Sequence, residues 1–171
     1  MSTSTPQDFD FDAWLDGADR PQRSVTVYQK AGLIADLDAL AVRIEHSDGE
    51  DEVDGPSMAG GAQKLRAEYA KLAEQFHNSA LTIRVKGHDD DEKRVFAEEH
   101  KGNAQSLGNL ILADAFLEPK VTPEQVEKLE KVLGQAQFKL ILAAYMSACN
   151  EVPVVSADFL PKSSTRGDGD E

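Results

Sequence analysis

The 171-residue sequence holds one cysteine, Cys149, so no internal disulfide framework can form, and the sulfur usage suits a reducing compartment. No apolar run approaches the ~18 residues of a membrane-spanning helix. Basic residues are scarce: 18 Lys and Arg stand against 31 Asp and Glu, a formal net charge of −13. Residues 1–62 carry 13 of those acids and 4 of the bases, so the acidity sits mainly in the first third. Such a chain is not built to hold a phosphate backbone, which takes clustered Lys and Arg. It is compatible with a basic protein partner or with plain solubility. Met1 to Gln7 has neither a basic region nor an apolar stretch, so no secretion signal is expected, and a soluble cytosolic protein is.

Reaction chemistry is equally thin. His46, His77, His88 and His100 include no pair at the three- or four-residue spacing of a helical metal site. His88 precedes Asp89, Asp90 and Asp91, but consecutive carboxylates on a helix point in different directions and chelate poorly. The segment reads instead as a solvated helix start, with acids where the macrodipole favours them. Asp48 to Gly55 lacks the spacing of a calcium-binding loop, and Gly60-Gly61 is not followed by Lys-Ser/Thr. Cys149 falls near the end of an apolar helix face and reads as a buried, inert thiol. Arg166-Gly167-Asp168 is a tripeptide that chance supplies often. No catalytic residue, metal ligand or cofactor is therefore expected, and function is sought in binding.

What the chain does have is periodicity. Ser24 to Tyr28 alternates, as does Ala80 to Gly87, where Leu81, Ile83 and Val85 interleave with Thr82, Arg84 and Lys86; both read as strands. Between them lie two helices with matching apolar stripes, Leu33, Leu37, Leu40 and Ile44, then Leu65, Tyr69, Leu72 and Phe76. They are expected over about 31–46 and 62–77, joined by a flexible acidic loop over 47–61. The stripes predict an antiparallel helical hairpin, and the strands flanking it are expected to pair antiparallel at its base. A helix from about His88 to Lys101 and an apolar helix over Leu107 to Glu118 follow. Thr122-Pro123-Glu124-Gln125 is a helix start, with a cap, Pro at the first position and Gln at the third. Gly134 is expected to end or bend that helix before a last helix over 135–149.

The fold class is thus mostly α within α+β. A helical hairpin is flanked by two short pairing strands, then comes a small C-terminal helical bundle and an extended tail. The organisation is an acidic-aromatic arm over 1–20, strand–hairpin–strand over 21–87, helices over 88–150 and the tail over 151–171. Two segments stand out for binding. In the arm, Phe9, Phe11 and Trp14 interleave with acids, as in a short helix or turn docked on the core by its rings; a separate motif for a basic, grooved partner is the alternative. In the tail, Val154, Val155, Phe159 and Leu160 are too apolar for a free end. They form either a binding segment or a strap packed back on the body, for instance as a third strand.

The order of these pieces carries a resemblance. Phe9 to Gly17, Pro21-Gln22-Arg23-Ser24-Val25-Thr26-Val27-Tyr28, a charged helical hairpin and Ala80 to Val85 come first. An alanine-rich last helix, Asn150, Val152-Pro153-Val154 and Phe159 before a Ser-rich end complete the series. This resembles the tail assembly chaperones of long-tailed phages and prophages of actinobacteria, over most of the chain. The resemblance implies a non-enzymatic protein of the host cytoplasm that binds the tape measure protein, helps tail tube protein polymerise around it and is absent from the finished particle. It also implies a longer frameshifted product. An acidic body with a hairpin groove is compatible with holding apolar segments; its charge works against self-association, while a homo-oligomer stays open. The alternatives are a structural or scaffold protein of the particle and an acidic DNA-mimic inhibitor. The last needs carboxylates on a rigid surface, whereas the densest acids here fall in the arm and the expected loop.

Overall fold

The computed structural model describes residues 9–50 and 59–152. In chain order the elements are α1 (Phe11–Asp16), β1 (Gln22–Tyr28), α2 (Leu33–Glu50), α3 (Ala59–His77) and β2 (Ala80–Lys86). Then come α4 (Asp90–Glu99), α5 (Leu107–Ala115), β3 (Phe116–Glu118) and α6 (Pro123–Asn150). The mostly helical α+β class and the pairing of the two hairpin-flanking strands are both as expected. β1 and β2 run antiparallel with Val25 opposite Ile83 and Val27 opposite Leu81.

Side chains alternate across a strand, so this register sends the odd-numbered residues of both strands to one face. There Val27, Ile83 and Val85 are buried against Leu112, Phe116, Val126, Phe138, Ile141 and Tyr145. The opposite face is polar and wet; the Thr26 and Thr82 hydroxyls meet across it at 3.1 Å. The strands and the C-terminal helices therefore share one core. The hairpin α2–α3 packs mainly on itself, burying Leu37, Leu40 and Ala62. Its 18-residue α2 is about 27 Å long at 1.5 Å per residue. Stacked rings of Tyr28 and Phe76, 4.3 Å apart, fasten its base to the sheet.

Several expectations change. The helix expected to run to Glu118 stops at Ala115, and Phe116–Glu118 pairs with β2 as a third strand. The reason is burial: an extended Phe116 backbone satisfies the second edge of β2 while its ring goes fully into the core. The hairpin helices are longer than their apolar stripes, reaching Glu50 and starting at Ala59, where a loop was expected. Residues 51–58 lie outside the described residues, as do Val154, Val155, Phe159 and Leu160. The cap at Thr122 is a full capping box with Gln125. Gly134 does bend the chain, at φ 76 and ψ 164, as a kink inside α6. Positive φ is where glycine replaces other residues at least cost.

The arm is corrected most. α1 is a single short helix capped by Asp10, but none of its residues is buried. Phe9, Phe11 and Trp14 cluster with each other, Phe11 stacking on Trp14 at 5.9 Å, and each stays about half exposed. The rings do not dock on the core. Six residues cannot hold a helix on their own, and the acids between the rings keep that face in water. The arm is tethered instead at Arg20, whose guanidinium reaches Asp89 at 3.2 Å and also Glu92.

Candidate functional site

Two features meet at Tyr145 on α6: a polar cluster and an apolar groove. The polar cluster centres on His88. Only Gly87 separates it from β2, and the chain can press that close to α6 because residue 87 lacks a β-carbon, which would lie 2.3 Å from the Ala148 carbonyl oxygen. Asp89 then caps α4 in a capping box with Glu92. His88 was expected in a solvated helix start, yet it is 8% exposed. Its Nδ1 lies 3.2 Å from the Tyr145 hydroxyl and its Nε2 lies 2.9 Å from an Asp114 carboxylate oxygen. Its backbone N–H points at the Cys149 sulfur, 3.4 Å away. Cys149 is half-buried and packs on the core, close to the expected role.

Two groups of the cluster have shifted proton affinities. Burial, and next a hydrogen bond with Cys149, pushes the Tyr145 phenol well above its ordinary range, so it stays protonated. For Asp114 burial acts upward, but hydrogen bonds from Lys86 and His88 outweigh it and hold the carboxyl below its ordinary 3.8. The phenol faces Nδ1 and the carboxylate faces Nε2. Both ring nitrogens are thus engaged inside the protein. Beside them opens a cleft of about 390 Å³ lined by Lys86, His88, Asp89, Glu92, Phe96 and Asp114. The arrangement locks β2, α5 and α6 together rather than presenting a free base. Among the described residues no group of three His, Cys, Asp or Glu side chains is placed to hold a metal.

Asp114 yields a pH prediction. A carboxyl whose pKa is depressed by folding adds stability that is fully present above its unfolded pKa and is lost as pH falls through the folded one. Asp114→Asn should therefore cost about 0.5–1 kcal/mol at pH 7, kept small because the side chain is 45% exposed. The gap from the parent should close as pH drops below about 3.8. Urea titrations across that range check it; a gap of constant size would remove the assigned role.

The apolar groove lies between α5 and α6. Gly108, Ile111, Leu112, Leu142, Tyr145 and Met146 line about 390 Å³, with Lys93 of α4 at the rim. Leu107, Leu142 and Met146 stay substantially exposed, Met146 at 53%. The sequence reading did not single out Leu142 and Met146. A usable signal was present, because they sit off the stripe of Phe138, Ile141, Tyr145 and Ala148 that faces the sheet. A helix with apolar residues on two faces has a second partner to satisfy.

Of the expected binding residues, Phe9, Phe11 and Trp14 are brought together and exposed, and the four tail residues lie outside the described region. No helix among the described residues is long and apolar enough to cross a membrane. No family model, curated protein or solved structure matches the chain.

Proposed function

We propose that this chain is a non-enzymatic tail assembly chaperone of a long-tailed actinobacterial phage or prophage. It works in the host cytoplasm, holding an apolar segment of the tape measure protein while tail tube protein assembles around it. The observation that carries this reading is the α5–α6 groove, an apolar channel left uncovered by the described residues of a chain of charge −13. Its size and shape suit one apolar face of an amphipathic helix, with Leu142 and Met146 one turn apart as paired contacts. The exposed ring cluster of α1 adds a second apolar surface flanked by acids, suited to a segment that mixes apolar and basic residues. The order of segments, which resembles that chaperone family, supplies the partner's identity.

The test is capture of tape measure fragments by the purified chain. Leu142→Asp with Met146→Asp should reduce capture at least tenfold while circular dichroism and melting stay near the parent's, because both side chains already face water. Undiminished capture by that folded variant would reject the groove. Blotting purified particles separates this reading from a structural one, since a chaperone is missing from them and a structural component is retained.

A further inference from the structure

We infer that residues 154–159 add to the free edge of β1 as a fourth strand, parallel to β1, within the same molecule. Among the described residues the sheet order is β1-β2-β3, so β1 is an edge. Its bonds to β2 are framed by Gly87 N–H to Pro21 O and Gln29 N–H to Ser79 O. That phase turns the N–H and C=O groups of Gln22, Ser24, Thr26 and Tyr28 outward, away from β2. Two positions of this edge are closed by side chains. The Gln137 amide takes both backbone groups of Tyr28, at 2.7 and 3.0 Å, and Arg23 reaches the Gln22 carbonyl at 3.1 Å. Between them, among the described residues, nothing pairs with Ser24 and Thr26. The other sheet edge is already blunted: β3 has three residues, and Lys120 bonds the Phe116 carbonyl at 3.0 Å.

α6 builds the floor of this open slot. Its residues 137, 140, 144 and 147 form one stripe, which the C-cap Glu151 continues. The ends of the stripe touch the two ends of β1, Gln137 at Tyr28 and Glu151 at Arg23, 3.4 Å apart. Leu140 and Ala144 therefore lie alongside the unpaired stretch, and Leu140 is 51% exposed. The chain leaves α6 at this same place, in extended conformation at Glu151, with Val152 exposed. Residues 151–153 then suffice for the reversal, within the roughly 2–6 residues of helix-to-strand connections. Six residues span about 20 Å at ~3.3 Å each, close to the length of β1.

The occupant matches the slot by pattern. Val155, Ala157 and Phe159 alternate with Val154, Ser156 and Asp158. The first set would lie over Leu140 and Ala144, and the second would extend the polar face of Ser24 and Thr26. A one-residue slip would put Phe159 in water and Asp158 on Leu140, so the register is specified. The strand would form whatever the groove binds, so its test is separate from the one above.

That test is amide hydrogen exchange by NMR on the full chain and on a chain ending at Val152. Ser24 and Thr26 should exchange at least tenfold more slowly in the full chain. Val25 and Val27, which bond β2, should be equally slow in both and so report that the shortened chain is folded. Val155→Lys with Phe159→Lys should release the two edge amides, whereas Ser156→Lys should not. Equal exchange of Ser24 and Thr26 in both chains would overturn the inference. Protection that grows with protein concentration would overturn it too, by assigning the strand to a second copy.

Discussion

Gly87→Ala should lower the stability of the folded chain by about 3 kcal/mol, the upper part of the range for overfilling a packed site. The expectation rests on backbone, not on side chains. A β-carbon at residue 87 would lie 2.3 Å from the Ala148 carbonyl oxygen, 2.6 Å from its carbonyl carbon and 2.8 Å from the Cys149 nitrogen. A crowded side chain can rotate aside, but the peptide of a long helix cannot move without dragging the helix. α6 carries Ile141, Tyr145 and Ala148 of the core, so relief at residue 87 would loosen the whole sheet–helix layer. His88 and its partners are positioned by the same close approach. Chemical denaturation should show a lower midpoint with a similar slope. Gly108→Ala serves as the control, because a β-carbon there meets nothing within 4 Å. In a helix that change should be neutral or stabilising by up to about 1 kcal/mol. Equal effects at the two sites would mean that α6 does not lie against the end of β2 as described.

Much of the scaffold was legible because it obeys local rules. The alternation of Val25, Val27, Ile83 and Val85, the twin stripes of the hairpin and the Thr122-Pro123-Gln125 start each depend on neighbours in sequence. The failures share a cause, in that each depends on a partner far along the chain. Phe116 reads as the end of an apolar helix until β2 is known to have an open second edge. The rings of α1 read as docking groups, because nothing local says that the core is already full without them. His88 reads as a solvated helix start because its acids are solvated. What buries it are Tyr145 and Asp114, 57 and 26 residues away. The groove was hidden for a related reason. The α6 segment is apolar on two faces, and which of them is covered among the described residues depends on elements distant in sequence.

Replacing His88 by alanine is the second large effect, at about 2–4 kcal/mol. Two costs combine. The ring is 8% exposed, so its removal leaves a void that the sheet and α6 can only partly close. It also strips a partner from the buried Tyr145 hydroxyl, and a polar group left unmatched away from water costs about 1–3 kcal/mol, whereas Asp114 reaches water and keeps Lys86. Tyr145→Phe should cost less, about 1 kcal/mol, because it deletes one hydrogen-bonding group while keeping the ring that fills the space. If the three groups act as one network, the double variant His88→Ala with Tyr145→Phe should cost less than the sum of the singles by about 1 kcal/mol. Once the imidazole is gone, the phenol has already lost that bond. Denaturant titrations of the four proteins at neutral pH measure the coupling. Strict additivity would mean that the 3.2 Å contact contributes no energy, and a cost for His88→Ala within about 0.5 kcal/mol, the scale of a surface change, would place the imidazole in solvent rather than in the core.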